Sequence, residues 1–334
     1  MSRVSSYREA GVDIGLEADA ISSLVKELTF RREGSFRVIG GVGHFAGLID
    51  FGNQVLALTT DGVGTKMLVA DRLKEWTTVG IDCIAMNVND LYVMNVEPVA
   101  FVDYIAVDSL DKGKMAQIGV GLNEGARQAN IDIVGGETAT LNGLVHGLDL
   151  AGTCLGVQER SRVVTGAQIQ PGDLVIGVPS SGIHSNGLTL ARRVVEEYGD
   201  YDKRLSNGRT FGKELLIPTR IYSAALGVCH KARVHGMCHV TGGGLLNFLR
   251  LTNYGVKITD PLPPHEIFSW IQSMAEIPTA EMYRTFNMGM GFAYIVPPEE
   301  ATCVLREVPD ACVAGVITEE RGVWLRNEEV LPQE

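Results

Sequence analysis

Carboxylates and amides beside glycine turns are the residues of this chain best suited to chemistry. Asp61 stands at the end of an apolar run, and Asp82, Asn87, Asn89 and Asp90 fall in one helical stretch. Asp103 interrupts a second apolar run, and Glu137 follows Gly135-Gly136. On a helix, residues seven apart differ by about 20° of rotation, so Asp82 and Asn89 share a face with Asp90 at its edge. That face lies away from the stripe of Ile81, Ile84, Ala85, Val88, Leu91 and Tyr92. Mg2+ takes oxygen ligands, usually a few carboxylates completed by water and nucleotide phosphates, so the set suits a metal–triphosphate site. A solvated helix face is the plain alternative for Asp82. It suits Asp61 and Asp103 less well, because an unpaired charge in or at the end of an apolar strand is costly.

Three glycine-rich or histidine-bearing segments add to this. SSGIHSNG (180–187) sets His184 in a turn before a helix, with Asn186 near the N-cap; proton transfer, phosphate contact and a structural histidine are all open readings. HVTGGG (239–244) would let the N–H groups of Gly242, Gly243 and Gly244 and a helix dipole meet an anion, or would simply make a tight turn. EMYRTFNMGMGF (281–292) reads as core and turn as easily as site. Two look-alikes are set aside. GVGHFA (41–46) matches GxGxxA, but the strand-like LIDFGNQVLALTT follows it where a dinucleotide fold needs a helix, and DGVGTK (61–66) lacks the gap of a P-loop.

Elements to hold these residues can be read from periodicity. A helix is expected over 17–32, with Lys26 beside the stripe Ile21, Leu24, Val25 and Leu28. Two or three strands joined by a Gly-rich loop follow, then helices at 66–75 and 79–94, a strand at 100–107, a helix at 111–130, and strands at 131–134 and 148–157. The stretch ERSRVVTGAQIQPGD has no apolar period, which divides the chain into residues 1–165 and 166–334. The second unit is expected to hold strands near 173–182, 237–240, 290–297, 312–318 and 322–326 and helices near 186–198, 219–234, 244–252, 265–275 and 298–307. Because strands often follow one another directly, mixed α/β sheets fit better than a doubly wound parallel sheet. In VLALTT (55–60) both faces are apolar, as in FVDYIAV (101–107) and LAGTCLGV (150–157). One face can be covered by the unit's own helices, the other by the same sheet of a second subunit, with residues near Asp103 at the seam.

Composition narrows the function classes. The chain has 334 residues, 29 Lys and Arg against 40 Asp and Glu, and a net charge of −11, with no basic stripe for nucleic acid or an anionic membrane. No apolar run approaches the ~18–20 residues that span a bilayer. The start, MSRVSSYREAGVD, does not read as a secretory leader, so a cytoplasmic home is expected. Six scattered cysteines, with no CxxC, read as reduced thiols.

Taken in order, YREAGVDI (7–14), TDGVGTK (60–66), GIDCIAMNVNDL (80–91), EPVAFVDY (97–104), GGET (135–138), HSNG (184–187), PTRIY (218–222), HVTGGG (239–244) and EMYRTFNMGMG (281–291) resemble the aminoimidazole ribonucleotide synthetase family. These are the phosphoribosylformylglycinamidine cyclo-ligases of purine biosynthesis. The resemblance implies a homodimer of two-domain α/β subunits whose N-terminal sheets pair in a barrel-like core. It implies ATP and Mg2+, used to close the imidazole ring of formylglycinamidine ribonucleotide with release of ADP and phosphate. By motif position it gives Asp61, Asp82, Asp90 and Glu137 to the metal, and a phosphate contact and a catalytic part to Lys26. Nucleotide contacts would come from Gly40, Gly41, Gly43, Thr65, Lys66, Asn89, Gly135, Gly136, Thr138, Asn186, Gly242, Gly243 and Gly244. Residues 40–47 would be a mobile lid, and Asp61 and His184 would be catalytic, His184 handling a proton. The chain departs from the family at His44, often glycine, at Ile183, often proline, and in ATLNG (139–143), where Ala-Glu-Met-Pro-Gly is common. The enzymatic rivals are a thiamine-phosphate kinase and a selenophosphate synthetase. The latter would need a reactive cysteine near the N-terminal loop, and the first here is Cys83. A non-catalytic nucleotide-binding scaffold is the rival of a different class.

Overall fold

The computed structural model describes residues 10–11, 14–40 and 43–330. The first half holds α1 (Ile14–Glu27), β1 (Val38–Ile39), β2 (Gly47–Phe51), β3 (Gln54–Gly62), α2 (Lys66–Leu73), α3 (Thr77–Tyr92), β4 (Glu97–Val107), α4 (Lys112–Ala129), β5 (Asp132–Thr140) and β6 (Leu148–Glu159). The second holds β7 (Leu174–Pro179), α5 (Leu188–Tyr198), α6 (Phe211–Leu215), α7 (Ala224–Lys231), β8 (Gly236–His239), β9 (Gly255–Ile258), α8 (Glu266–Ala275), α9 (Thr279–Thr285), β10 (Met290–Val296), α10 (Ala301–Glu307), β11 (Cys312–Thr318), β12 (Val323–Leu325) and β13 (Glu328–Glu329). Residues 244–250, expected as an α-helix, form a 3-10 turn. Among the described residues, no helix is long and apolar enough to cross a membrane.

Each half is built on a mixed sheet. The first has the order β1-β2-β3-β6-β4-β5 and the second β13-β12-β9-β11-β7-β10-β8. In the first, only β4 and β5 run parallel, joined by α4 as the crossover that parallel strands require. Residues 160–173 connect the two sheets.

Burial along β3 follows the alternation: Val55, Ala57 and Thr59 are buried, whereas Leu58 is 42% exposed. Helices α3 and α4 cover the buried face, and their backbones touch where a Cβ on Gly121 would stand 1.9 Å from the Thr77 carbonyl oxygen. The other face, with Leu58, Val102 and Tyr104, stays open within the chain.

Two expectations change here. GGET is not a turn, because β5 runs through it to Thr140 in register with β4. Nor does Asp103 point to the open face: it lies opposite Gly136, and a Cβ there would meet the Asp103 carboxylate at 2.4 Å. Asp103 therefore shares the inner face with Asp61, both being opposite Gly152 of β6.

Helix α3 joins the two halves. Its polar face is buried, Asp82, Asn87 and Asn89 each having no exposed surface. The second half takes the place of solvent over that face.

Candidate active site

The loops that carry the glycine motifs meet in a cleft of about 320 Å³ between the two halves. One wall is Gly62–Thr65, between β3 and α2; the other is Ser185–Thr189, running into α5, with Gly242 and Gly243 at its side and Glu17 of α1 reaching in. The Thr65 and Thr189 hydroxyls are 2.9 Å apart across it. Helix α5 starts at the cleft behind Gly187, which offers no side-chain cap, so its first N–H groups suit an anion. Gly244 cannot be replaced easily: its φ is +52°, and a Cβ would lie 2.0 Å from the Tyr283 carbonyl oxygen.

Beside the cleft, at the end of β3, Asp61 faces Asp90 and His239. Burial, and then the Asp90 charge, push the Asp61 carboxyl up to about 6, against the Gly62 N–H that donates to it at 2.7 Å. Asp90 Oδ1 is 3.0 Å from His239 Nδ1. The His239 tautomer follows from Asn89. Asn89 Oδ1 accepts the Tyr222 N–H at 2.9 Å, and its Nδ2 donates to the Arg220 carbonyl at 2.9 Å and to His239 Nε2 at 3.3 Å. Nε2 is thus an acceptor, and Nδ1–H donates to Asp90. Arg250 lies 4.3 Å from the centre of the Phe45 ring, donates to the His44 carbonyl, and acts electrostatically on Asp61.

Among the described residues, no group of three or more His, Cys, Asp or Glu could hold a metal alone. Mg2+ needs fewer protein ligands, because phosphates and water complete its shell. Asp61 and Asp90, the first raised by burial and then by the like charge of the second, suit such a cation.

Several expected site residues lie elsewhere. Asp82 and Lys66 are not in the cleft: both side chains have no exposed surface and pair at 2.8 Å. Asp82 Oδ1 accepts the Thr219 N–H and hydroxyl, each at 2.7 Å, and the Ser185 hydroxyl at 3.0 Å, while Oδ2 faces the Lys66 ammonium. Glu137 sits opposite Tyr104, on the face of the sheet away from Asp61. Gly135, Gly136 and Thr138 lie on the exposed strand β5, outside the cleft. Lys26 is exposed on α1 and makes no ion pair among the described residues.

His184 is 1% exposed and does not line the cleft. Its Nε2 accepts the Ser181 N–H at 3.2 Å, and its Nδ1 is buried without a partner. Burial holds it well below the usual histidine range, so it stands neutral. It is closed from solvent in this arrangement.

Gly40 and Gly43, both at positive φ, lie within the expected lid, and Gly41 lies outside the described residues. From Gly43 onward the segment is anchored, with Phe45 and Ala46 buried and His44 Nε2 3.1 Å from the Thr165 carbonyl. Asn186, Gly242 and Gly243 do line the cleft, and Asn89 supports it through His239. Ser185, Thr189, His239 and Arg250 escaped the sequence reading. His239 opens the HVTGGG motif and could have been taken from it, whereas Arg250 carries no local signal.

The fold and cleft define a two-domain protein of the AIR synthase related class. Residues 43–158 match the AIR synthase related protein, N-terminal domain, and residues 170–326 match its C-terminal domain. A phosphoribosylformylglycinamidine cyclo-ligase of Methanosarcina barkeri is 50% identical over 325 residues, covering 96% of this chain and 97% of that one. One from Pyrococcus horikoshii is 49% identical over 334 residues, covering 96% and 98%. This chain belongs to the phosphoribosylformylglycinamidine cyclo-ligase family. The thiamine monophosphate kinase of Aquifex aeolicus shares the fold, with a TM-score of 0.65 at 17% identity over 96% of this chain and all of that one. T. maritima PurL complexed with ADP gives 0.61 at 17% identity, covering 95% of this chain and 50% of that one.

Proposed function

We propose that this protein closes the imidazole ring of formylglycinamidine ribonucleotide with ATP, releasing ADP and phosphate. The observation that carries this is the 50% identity to a cyclo-ligase along nearly the whole of both chains. An amide oxygen is a poor leaving group. In the reaction that oxygen attacks the γ-phosphorus and ADP leaves; the amidine nitrogen then attacks the carbon, and the oxygen departs with phosphate.

The α5 N-terminus and the Gly242–Gly243 backbone would receive phosphate oxygens across the cleft from Gly62–Thr65. Asp61 and Asp90 would hold Mg2+, which when bound neutralises triphosphate charge. His239 Nδ1 donates to Asp90 and Nε2 accepts from Asn89, so His239 would orient the Asp90 carboxylate. The Thr65–Thr189 contact holds the two walls together across the cleft, as positioning of two reactants would require.

The open face with Leu58, Val102 and Tyr104 supports a homodimer through the N-terminal sheets. Incubation with ATP, Mg2+ and the amidine ribonucleotide is expected to yield aminoimidazole ribonucleotide and ADP one for one. ADP without ring product would remove the reading. A solution mass of 36.1 kDa with full activity would remove the dimer.

A further inference from the structure

Every partner of the Lys66–Asp82 pair outside the pair itself belongs to the second half of the chain. Asp82 Oδ1 accepts from Thr219 and Ser185, and Lys66 Nζ donates to the Ile217 carbonyl at 2.6 Å. Lys66 directly follows Thr65 of one cleft wall, and Ser185 is part of the other. Burial pulls the Lys66 ammonium below its ordinary value, and Asp82 opposes that pull. A fully buried ion pair is a poor way to gain stability, since apolar residues of similar volume often do as well. Its geometry, by contrast, is demanding: it is satisfied only when the Ile217 carbonyl, Thr219 and Ser185 all arrive at one place.

From this we infer that Lys66 and Asp82 are positioning residues that set the register of the two cleft walls, with Ser185 as the point where the pair reaches the nucleotide site. The inference rests on the cleft being that of ATP. Removing the charges while keeping an acceptor should preserve the site; removing the acceptor should loosen it.

Two double variants separate these effects. In Lys66→Met/Asp82→Asn the amide oxygen still accepts from Thr219 and Ser185. We expect a cooperative melt and a KM for ATP within threefold of the parent. Lys66→Met/Asp82→Leu is equally uncharged but has no acceptor, and KM for ATP should rise tenfold or more, with kcat falling less. Hydrogen exchange over residues 183–190, which needs no turnover, should quicken in the second variant alone. Ser185→Ala serves if the leucine variant does not fold, and is expected to raise KM several-fold with little change in Tm.

Loss of turnover in the folded asparagine variant would overturn the inference, because it would mean that the charges themselves act on phosphate or metal. Unchanged KM and exchange in the folded leucine variant, or unchanged KM in Ser185→Ala, would overturn it as well. Parent protein that fails to turn over ATP with the amidine would instead defeat the functional reading, while the exchange comparison still decides this one.

Discussion

Helix α3 carries two acids eight residues apart that have opposite fates. Asp82 meets an ammonium, two hydroxyls and a backbone N–H, with no exposed surface. Asp90, 16% exposed, meets His239 and the like charge of Asp61. Satisfied polar groups hold a structure in one arrangement, whereas underpaired ones have capacity left for a ligand. The contrast therefore divides one polar helix face into a structural half and a chemical half.

The contrast breaks first under substitution. Asp82→Ala should cost about 3–5 kcal/mol of stability, because it strands the buried Lys66, whereas Asp90→Asn should cost under ~1 kcal/mol; urea unfolding compares the two. If Asp82→Ala melts like the parent, the structural half of the account fails. For activity the order reverses: Asp90→Asn should slow ring closure on the order of a hundredfold, about 3 kcal/mol of barrier, in protein that remains folded.

Gly244→Ala tests the glycine wall. The clash with the Tyr283 carbonyl and the positive φ should together cost about 1–3 kcal/mol, read as a lowered Tm.

The smallest effect is one of pH. His184 is held below its unfolded pKa by burial, so the unfolded chain binds the extra proton first. The His184 contribution should be level above about pH 6.5 and fall by up to ~1.4 kcal/mol per unit below it. From about pH 6 down it is opposed by Asp61, whose raised carboxyl takes its proton first in the folded protein. The difference between parent and His184→Asn isolates the His184 slope. Asparagine tolerates the φ of +64° found there.

Much of this arrangement was legible in the sequence. The 3.6-residue spacing separated the apolar stripe of α3 from its polar face, and alternation marked the two sides of β3. What periodicity cannot carry is whether water or another domain lies over a polar face, and that is where Asp82 and Lys66 were misplaced. Composition misled at His184 for a related reason: Ser, Gly and Asn around it suggest exposure, yet the turn folds inward against Tyr222 and Gly291. GGET reads as a turn by its glycines, but pairing with β4 keeps it extended, and Gly136 is what leaves room for Asp103. Arg250 reaches the site only through the packing of residues 244–250, which no local pattern announces.

The central claim is that Asp61 and Asp90 serve an ATP-driven ring closure. It is tested most directly by titrating Mg2+ into ATP with and without the amidine ribonucleotide and following ADP. The account predicts ADP release that requires both Mg2+ and the amidine, and that falls about a hundredfold in folded Asp61→Asn. ADP formed equally fast without the amidine, or undiminished in Asp61→Asn, would contradict it.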